Sequence, residues 1–295
     1  MVYAQDPLAA RAALRARTSR RQQVVLVVHF RISQADEWAD KGEIRAGAAV
    51  YRAIRGVERE VIPQVDRLVF VSRWAQEALL SWIPEAGSVP SAVISNFIAP
   101  LDRVREPGVQ ADLVTVGSLE PVKNHRFLLE VLAEANRRGR PVTLDVFGDG
   151  PLRRELASMA HSLGLDAQVR FRGFRADVRD LLPGYRAYVH ASYSEASSFA
   201  IIEAMAAGLP ILAAKIGPIS EICDEESGAR WLSLDDPGQA TTALLGLLGS
   251  EPDRQAAARA ARARFLRDYD ATVVAPRLWS FLFDDDRGEV PAQVV

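Results

Sequence analysis

Short apolar runs alternate with amphipathic segments along the second half of the chain. The run "DLVTVGS" (112–118) is rich in β-branched residues and ends near a glycine, which predicts a strand. The next segment, "NHRFLLEVLAEANRRG" (124–139), spaces its apolar residues as a helix does. Strand and helix patterns continue in turn to about residue 269. This alternation predicts βαβ units and a parallel sheet.

The first hundred residues repeat the alternation with fewer strands. Strand patterns occur in "MVYAQD", which we expect to continue into a loop, and in "QQVVLVVHF", "DRLVFVS" and "SAVISN". Residues 42–61 have a helical pattern. A complete dinucleotide-type sheet has six strands, so four strand patterns predict a truncated N-terminal domain.

The predicted fold class is therefore α/β, with two Rossmann-like parallel-sheet domains. Segment 97–110 contains two prolines and a glycine without any period, and we expect it to be the linker. The domains are predicted to cover residues 1–104 and 105–272, and residues 273–295 to form a terminal helix.

Composition narrows the classes of protein. The 36 basic and 38 acidic residues leave a net charge of −2, which does not support nucleic-acid binding or bulk binding to membrane surfaces. Cys223 is the sole cysteine, which indicates no disulfide framework and a reducing compartment. Because no spanning segment or signal-peptide core is visible, we expect a soluble, cytoplasmic protein.

Two glutamates interrupt the apolar segment "SEASSFAIIEAMAAGLPI" (194–211). A helix is predicted to begin after Ser197 or Ser198, either of which is a good N-cap, and to stop at the glycine. Glu195 then lies in the loop after a strand, and Glu203 about one and a half turns into the helix. Carboxylates there can accept hydrogen bonds from sugar or ribose hydroxyls. The alternative is that Glu203 is a structural carboxylate paired with an arginine.

Lysine is rare in this chain, and Lys123 lies in the strand-end turn "VGSLEPVKNH". Its ammonium is a compact point charge that suits a diphosphate, although a solvated surface lysine is the simpler interpretation. His29 ends the apolar run "VVLVVHF" and is either a packed polar group or a site residue. No histidines have metal-ligand spacing, so we expect no metal. Asp149 in "FGDGP" suits a tight turn.

Together these motifs resemble the retaining glycosyltransferases of the GT-B architecture, particularly family four. Ser192, Glu195 and Glu203, with the following "EAMAAGLP", are similar to the E-x7-E signature of that family. The segments "VGSLEPVKNH", "VFGDGP" and "GPISEI" resemble its phosphate-binding loop, its G-x-G-P turn and a following loop. The resemblance is close over about residues 110–225 and looser over 20–100.

The resemblance implies transfer of a sugar from a nucleotide-diphosphate sugar, held by the C-terminal domain, to a glycan, lipid or small-molecule acceptor, held by the N-terminal domain. It implies that Lys123 stabilises the departing diphosphate, that Glu195 binds the sugar and Glu203 the ribose, and that His29 faces the donor sugar. It implies no resident cofactor and no metal. The other implied donor-binding residues are Gly117, Ser118, Gly148, Ala196, Ser197, Ser198 and Phe199.

Ser118 departs from the family pattern, which usually has arginine there as a second cation. Arg31, Arg73 and Arg126 are candidates to supply that charge.

Two other functions stay open: a catalytically impaired nucleotide-sugar-binding remnant and a nucleotide-sugar 2-epimerase on the same fold. A start site placed too late would also explain the short N-terminus. Peripheral membrane contact stays open too, and the helix from residue 273 is either an ordinary amphipathic helix or one that crosses back to the N-terminal domain.

Overall fold

The chain folds into two units, each built on one parallel sheet. In the computed structural model they comprise Met1–Ala99 with Asp268–Val295, and Pro100–Arg267. All strand pairs within the described residues are parallel, which confirms the α/β class with two parallel sheets. Residues 102–109, which are most of the predicted linker, and residues 284–295 lie outside the described residues. The structure describes residues 1–19, 21–30, 32–101, 110–224 and 226–283.

The sheet of the first unit has four strands in the order β1-β2-β3-β4. These strands are β1 (Val2–Ala4), β2 (Val24–Val28), β3 (Arg67–Phe70) and β4 (Ser91–Val93). The helices between them are α1 (Pro7–Ala16), α2 (Gln34–Asp40), α3 (Ala49–Val61) and α4 (Arg73–Trp82). The four strand patterns of the sequence are thus found in the structure, whereas the truncation of the domain stays a prediction.

Two sequence predictions for this unit are wrong. The helix expected over 42–61 begins only at Ala49, as α3, because Gly42 and Gly47 adopt φ of 77° and 75° and turn the chain before it. The loop expected after β1 is α1. Asp6 caps this helix by accepting a hydrogen bond from the amide of Ala9 at 2.8 Å.

The second unit has a six-stranded sheet in the order β10-β9-β8-β5-β6-β7. Its strands are β5 (Ala111–Val116), β6 (Leu144–Phe147), β7 (Val169–Gly173), β8 (Tyr185–His190), β9 (Ile211–Ala214) and β10 (Arg230–Leu232). Its helices are α5 (His125–Arg137), α6 (Arg153–Ser162), α7 (Val178–Leu181), α8 (Phe199–Ala206), α9 (Ile219–Ile222), α10 (Pro237–Gly249) and α11 (Glu251–Asp268). The pattern of the sequence does not predict β10, which has only three residues.

The strand order of the second sheet determines where a ligand can bind. The chain runs outward from β5 through β6 to β7 and then returns to form β8 on the other side of β5. In open α/β sheets, ligands bind in the crevice beyond the carboxyl ends of the two strands where the order reverses. A ligand site is therefore expected at the loops after β5 and β8.

The last helix, α12 (Ala271–Phe283), packs on the sheet of the first unit. Its Val274 and Leu282 share an apolar cluster with Val25 and Val27 of β2. The other face of β2 packs into a second cluster, so this strand is buried on both faces, as its continuous apolar run indicates. The terminal helix thus packs within the first unit, while the predicted domain bounds stay a prediction.

A buried carboxylate fixes the start of α2. Glu58 of α3 is fully buried and accepts hydrogen bonds from the hydroxyl of Ser33 at 2.6 Å and from the amide of Gln34 at 2.7 Å. Burial raises the pKa of Glu58 to about 7, although both hydrogen bonds act to lower it. This carboxyl group therefore titrates near neutrality.

Glu58→Gln is expected to remove a pH dependence of the free energy of unfolding of this unit. Because the folded pKa of about 7 exceeds the ordinary 4.5, the folded state binds more protons between these values. Stability of the wild type should therefore fall as pH rises through this window, by at most roughly 1.4 kcal/mol per pH unit. Urea unfolding at several pH values measures the slope, with the exposed Glu60→Gln as control. Equal slopes in wild type and Glu58→Gln would contradict the assignment.

Candidate functional site

Two predicted site residues meet where the strand order reverses. Lys123, in the loop after β5, donates a hydrogen bond from Nζ to Oε1 of Glu195, in the loop after β8, at 2.7 Å. Backbone contacts hold the two loops together, because the carbonyl of Val122 accepts from the amide of Tyr193 and the hydroxyl of Ser192, both at 2.9 Å. The ammonium and the carboxylate are thus brought together by the loops that carry them.

Glu195 has a second partner that the sequence pattern does not reveal. His190 is the last residue of β8, and its Nε2 lies 3.0 Å from the same Oε1. The side chains of His190 and Glu195 are 5% and 8% exposed, against 24% for Lys123. The lysine is therefore the member of this cluster that solvent or a ligand reaches most easily.

The environment keeps Glu195 ionised. Burial acts to raise its pKa, but the hydrogen bonds and electrostatic interactions of the carboxylate with His190 and Lys123 outweigh burial and lower the pKa to about 2. The carboxylate is therefore an acceptor at any physiological pH. The available sequence signal for His190 is its place at the end of an apolar strand, five residues before the first signature glutamate.

The turn after β6 packs backbone to backbone against the loop that carries Lys123. The amide of Gly117 donates to the carbonyl of Phe147 at 3.0 Å. A Cβ on Gly148, which has φ of 122°, would lie 1.9 Å from the carbonyl oxygen of Gly117. A Cβ on Gly150 would lie 2.7 Å from backbone atoms of Leu119. Both glycines are therefore required for this close approach, which fixes the position of the loop that carries Lys123.

Ser118 lies half-buried in the same loop. Of the three arginines considered as replacements for its missing charge, Arg126 forms an ion pair with Glu155 instead. Arg73 belongs to the first unit, and Arg31 lies outside the described residues. Arg126, the candidate that lies in the second unit, is thus already paired with Glu155 of α6.

Helix α8 begins where the sequence predicts. Ser198 is its N-cap and accepts a hydrogen bond from an amide of the first turn at 3.5 Å. Ala196 and Ser197 are half-buried in the preceding loop, and the ring of Phe199 is largely open to solvent. The first amides of a helix have no intrahelical acceptor, which makes this helix start suitable for ligand oxygens.

Glu203 lies in the second turn of α8 and is half-buried. Burial raises its pKa, while the positive charge of Arg179 on α7 acts in the opposite direction. Among the residues that the structure describes, its carboxylate has no hydrogen bond or contact ion pair. The carboxylate is therefore open to a ligand, while the structural alternative stays open because Arg179 acts on it electrostatically.

His29 lies in the first unit, directly after β2, and is half-buried. Burial lowers its pKa, and the negative charge of Glu37 opposes this effect. The structure therefore groups Lys123 and Glu195 with the other predicted donor-binding residues in the second unit, and places His29 in the first. The roles of all these residues remain predictions.

The described part of the chain lacks two kinds of feature. No group of three or more His, Cys, Asp or Glu side chains among these residues is arranged to hold a metal ion. None of the described helices combines the length and the apolar character needed to cross a bilayer.

Residues 110–250, from the start of the second sheet through α10, match the family model described as Glycosyl transferases group 1. The phosphatidylinositol N-acetylglucosaminyltransferase GPI3 subunit of Saccharomyces cerevisiae is 28% identical over 203 residues, which are 64% of this chain and 45% of that protein. D-inositol 3-phosphate glycosyltransferase 2 of Catenulispora acidiphila is 30% identical over 214 residues, 65% of this chain and 50% of that protein. The chain thus spans about half the length of these curated relatives.

Among solved structures, Anabaena HepE in complex with UDP-glucose resembles this chain with a TM-score of 0.77. The match covers 95% of this chain and 77% of HepE, at 19% sequence identity. At this identity the likeness establishes the fold alone, which is that of the GT-B glycosyltransferases.

Proposed function

We propose that this chain, whose residues 110–250 form a glycosyl transferases group 1 domain, moves a sugar from a nucleotide-diphosphate sugar to an acceptor with retention of anomeric configuration. The observation that carries the proposal is the Lys123–Glu195 pair at the carboxyl ends of β5 and β8. An ammonium beside an ionised carboxylate, next to a helix start, offers separate contacts for a diphosphate and for sugar hydroxyls.

In this proposal the bond between the anomeric carbon and the diphosphate oxygen breaks, and the bonding electrons leave with that oxygen. Lys123 and the first amides of α8 stabilise the new negative charge. The acceptor hydroxyl attacks the same face of the sugar, and its proton passes to the departing phosphate oxygen. This step requires no resident cofactor, no metal and no covalent protein intermediate.

The two signature glutamates take different parts of the donor. Glu195 accepts hydrogen bonds from the transferred sugar, and Glu203 accepts them from the ribose. Gly117, Ser118 and Gly148 offer backbone close to the diphosphate and nucleoside, while the resemblance assigns His29 to the donor sugar. The names of the two relatives refer to inositol-containing acceptors, one of them a lipid. We therefore include lipid acceptors, and contact with a membrane surface, in the proposal.

Glu195→Gln is expected to separate recognition of the sugar from recognition of the nucleotide. Calorimetry with UDP, GDP and ADP first identifies the nucleotide, and the matching nucleotide sugars follow. The variant should lose about tenfold or more in affinity for the nucleotide sugar, because hydrogen bonds to a charged acceptor contribute about 1.5–3 kcal/mol. Affinity for the bare diphosphate should hold or rise, since Lys123 no longer has an anionic partner in the free protein.

The matched control is Glu120→Gln, a half-buried glutamate of the same loop after β5. It should leave both affinities unchanged. An equal loss for diphosphate and nucleotide sugar in Glu195→Gln would overturn the assignment of Glu195 to the sugar.

Ser118 favours a second candidate function, a nucleotide-sugar-binding domain that does not turn over its ligand. A serine hydroxyl can donate a hydrogen bond to the diphosphate but adds no positive charge. Binding without any release of nucleoside diphosphate, across glycan, inositol and lipid acceptors, would identify this function.

A further inference from the structure

Helix α3 presents three arginines on one face in the first unit. Arg52, Arg55 and Arg59 are spaced by three and four residues, so they follow one side of the helix. Together with Gly56 and Trp82 of α4 they line a cavity of about 550 Å³. The opposite side of α3 carries the buried residues of the core, so the cavity lies on the side of the helix away from the sheet.

The indole of Trp82 holds two of these cations close together. The guanidinium carbon of Arg55 lies 4.1 Å from the centre of its ring, and that of Arg59 lies 5.4 Å away. Stacking on an aromatic face fixes the plane of a guanidinium group and leaves its edge donors exposed. The two side chains are thus prearranged at one wall of the cavity.

The acidic residues described near α3 pair with only one of these three arginines, Arg55. Asp36 lies 3.5 Å from Arg55 and also accepts from Tyr51. Glu58 is buried on the other side, where it binds the start of α2. Glu60 pairs with Arg11 of α1 at 3.6 Å.

Two of the three arginines therefore keep donors for a ligand. Arg52 uses one donor on the carbonyl of Gly47, and a guanidinium group has five. Within the described residues, Arg59 has no hydrogen bond or ion pair, only its stacking on Trp82.

Gly56 lines the cavity without a side chain. It lies in the interior of α3, where glycine is less favourable than alanine. A Cβ at this position would meet no atom within 4 Å, so neither packing nor backbone conformation requires glycine. Its missing side chain instead adds space between the arginines.

We propose that this cavity binds the phosphate group of a ligand, with Arg52 and Arg59 donating to its oxygens and Trp82 packing against the group that carries it. Guanidinium forks match phosphate oxygens in geometry and charge. The phosphate can belong to a soluble phosphomonoester or to a lipid headgroup at a bilayer surface. The proposal does not depend on glycosyl transfer, because all its residues lie in the first unit.

The test has a soluble arm and a bilayer arm on the full chain. Calorimetry with glycerol 3-phosphate measures the first. Cosedimentation with phosphatidylcholine vesicles, with and without phosphatidylglycerol, measures the second. We expect Arg59→Gln to weaken binding by about tenfold or more, because it removes a charged donor to the phosphate. Gly56→Leu should weaken binding by a similar factor, because the leucine side chain would occupy space between the arginines. Thermal unfolding should show that Gly56→Leu still folds, because leucine is a better helix former.

The matched control is Arg15→Gln, which removes one exposed arginine from α1 in the same unit. Loss of binding confined to the cavity variants supports the proposal. Loss in the soluble arm indicates a free phosphate ligand, and loss in the bilayer arm alone indicates a lipid headgroup. Equal losses with Arg15→Gln would show nonspecific charge attraction and overturn it. No binding in either arm would overturn it too. Nucleotide-sugar binding, measured on the same variants, should be unchanged, which separates this outcome from failure of the proposed function.

Discussion

Lys123→Met is expected to lower kcat/KM for donor turnover by about 10²–10³-fold, the loss typical when one preorganised group that stabilises developing negative charge is removed. In the proposed reaction the diphosphate gains charge as the glycosidic bond breaks. Ser118 supplies no charge in the same loop, so the ammonium of Lys123 carries a large share of the stabilisation. Release of nucleoside diphosphate from the donor that binds most tightly measures the effect.

The ion pair in the free protein raises a competing explanation for such a loss. Lys123 also holds Glu195, so removing the lysine could act through a displaced carboxylate. The double variant Lys123→Met with Glu195→Gln separates these cases. If Lys123 only positioned Glu195, the double variant would be no slower than Glu195→Gln alone. If Lys123 acts on the diphosphate, the double variant should be slower than Glu195→Gln by the same large factor.

Two further lysine variants test the specificity of the loss. Lys123→Arg keeps the charge and should recover part of the rate, because guanidinium also binds phosphate, although with a different geometry. Lys215→Met removes a lysine of the same unit that stacks on Trp231, 5.6 Å from its ring centre, and should leave the rate unchanged. An unchanged rate in Lys123→Met would refute the role of this residue.

The ion pair also has a consequence for binding order. Before a donor arrives, Glu195 neutralises the lysine at 2.7 Å, so a diphosphate must compete with the carboxylate of the protein. If Lys123 turns to the diphosphate, we expect His190 to keep its contact with Glu195, because that contact does not involve the lysine. Because Lys123 and His190 both contact Oε1 of Glu195, we expect the other carboxylate oxygen to accept from sugar hydroxyls in the proposed reaction.

Local signals in the sequence predict the elements that carry the site. Helix α8 begins after a serine cap and stops at a glycine with φ of 71°, so both of its ends are predictable from residue chemistry. Strand β5 and helix α5 follow from periodicity. These local patterns are therefore sufficient to assign Lys123 and Glu195 to the correct loops.

Contacts that depend on strand order cannot be predicted in the same way. Lys123 and Glu195 are 72 residues apart and meet only because β8 pairs with β5. The role of His190 depends on the same pairing, since periodicity shows only that it ends a strand. The late start of α3 at Ala49 is hidden because the helical pattern continues across Gly42 and Gly47, which turn the chain. Strand β10 is hidden because three residues are too few to show a period.

Glu203→Gln is expected to weaken nucleoside diphosphate binding by about 10- to 100-fold and to stabilise the free protein. The first effect follows because a ribose hydroxyl bonds more strongly to a carboxylate than to an amide, with about 1.5–3 kcal/mol for bonds to charged groups. The second follows from the raised pKa of Glu203. The unfolded state ionises at lower pH than the folded state, so the ionised carboxylate destabilises the fold at neutral pH, and glutamine removes this cost.

The pH dependence separates this role from a structural one. Because the folded pKa is raised above 4.5, stability of the wild type should increase as pH falls through that pKa, while affinity for the nucleotide should decrease as the carboxylate takes up a proton. Glu203→Gln should flatten both profiles, and Glu130→Gln, an exposed change on α5, should flatten neither. Calorimetry with the bound nucleotide and urea unfolding over the same pH range give the two profiles. A variant that loses stability without losing affinity would show that Glu203 supports the fold and not the ligand, because a carboxylate kept for binding is expected to cost stability at the site where it acts.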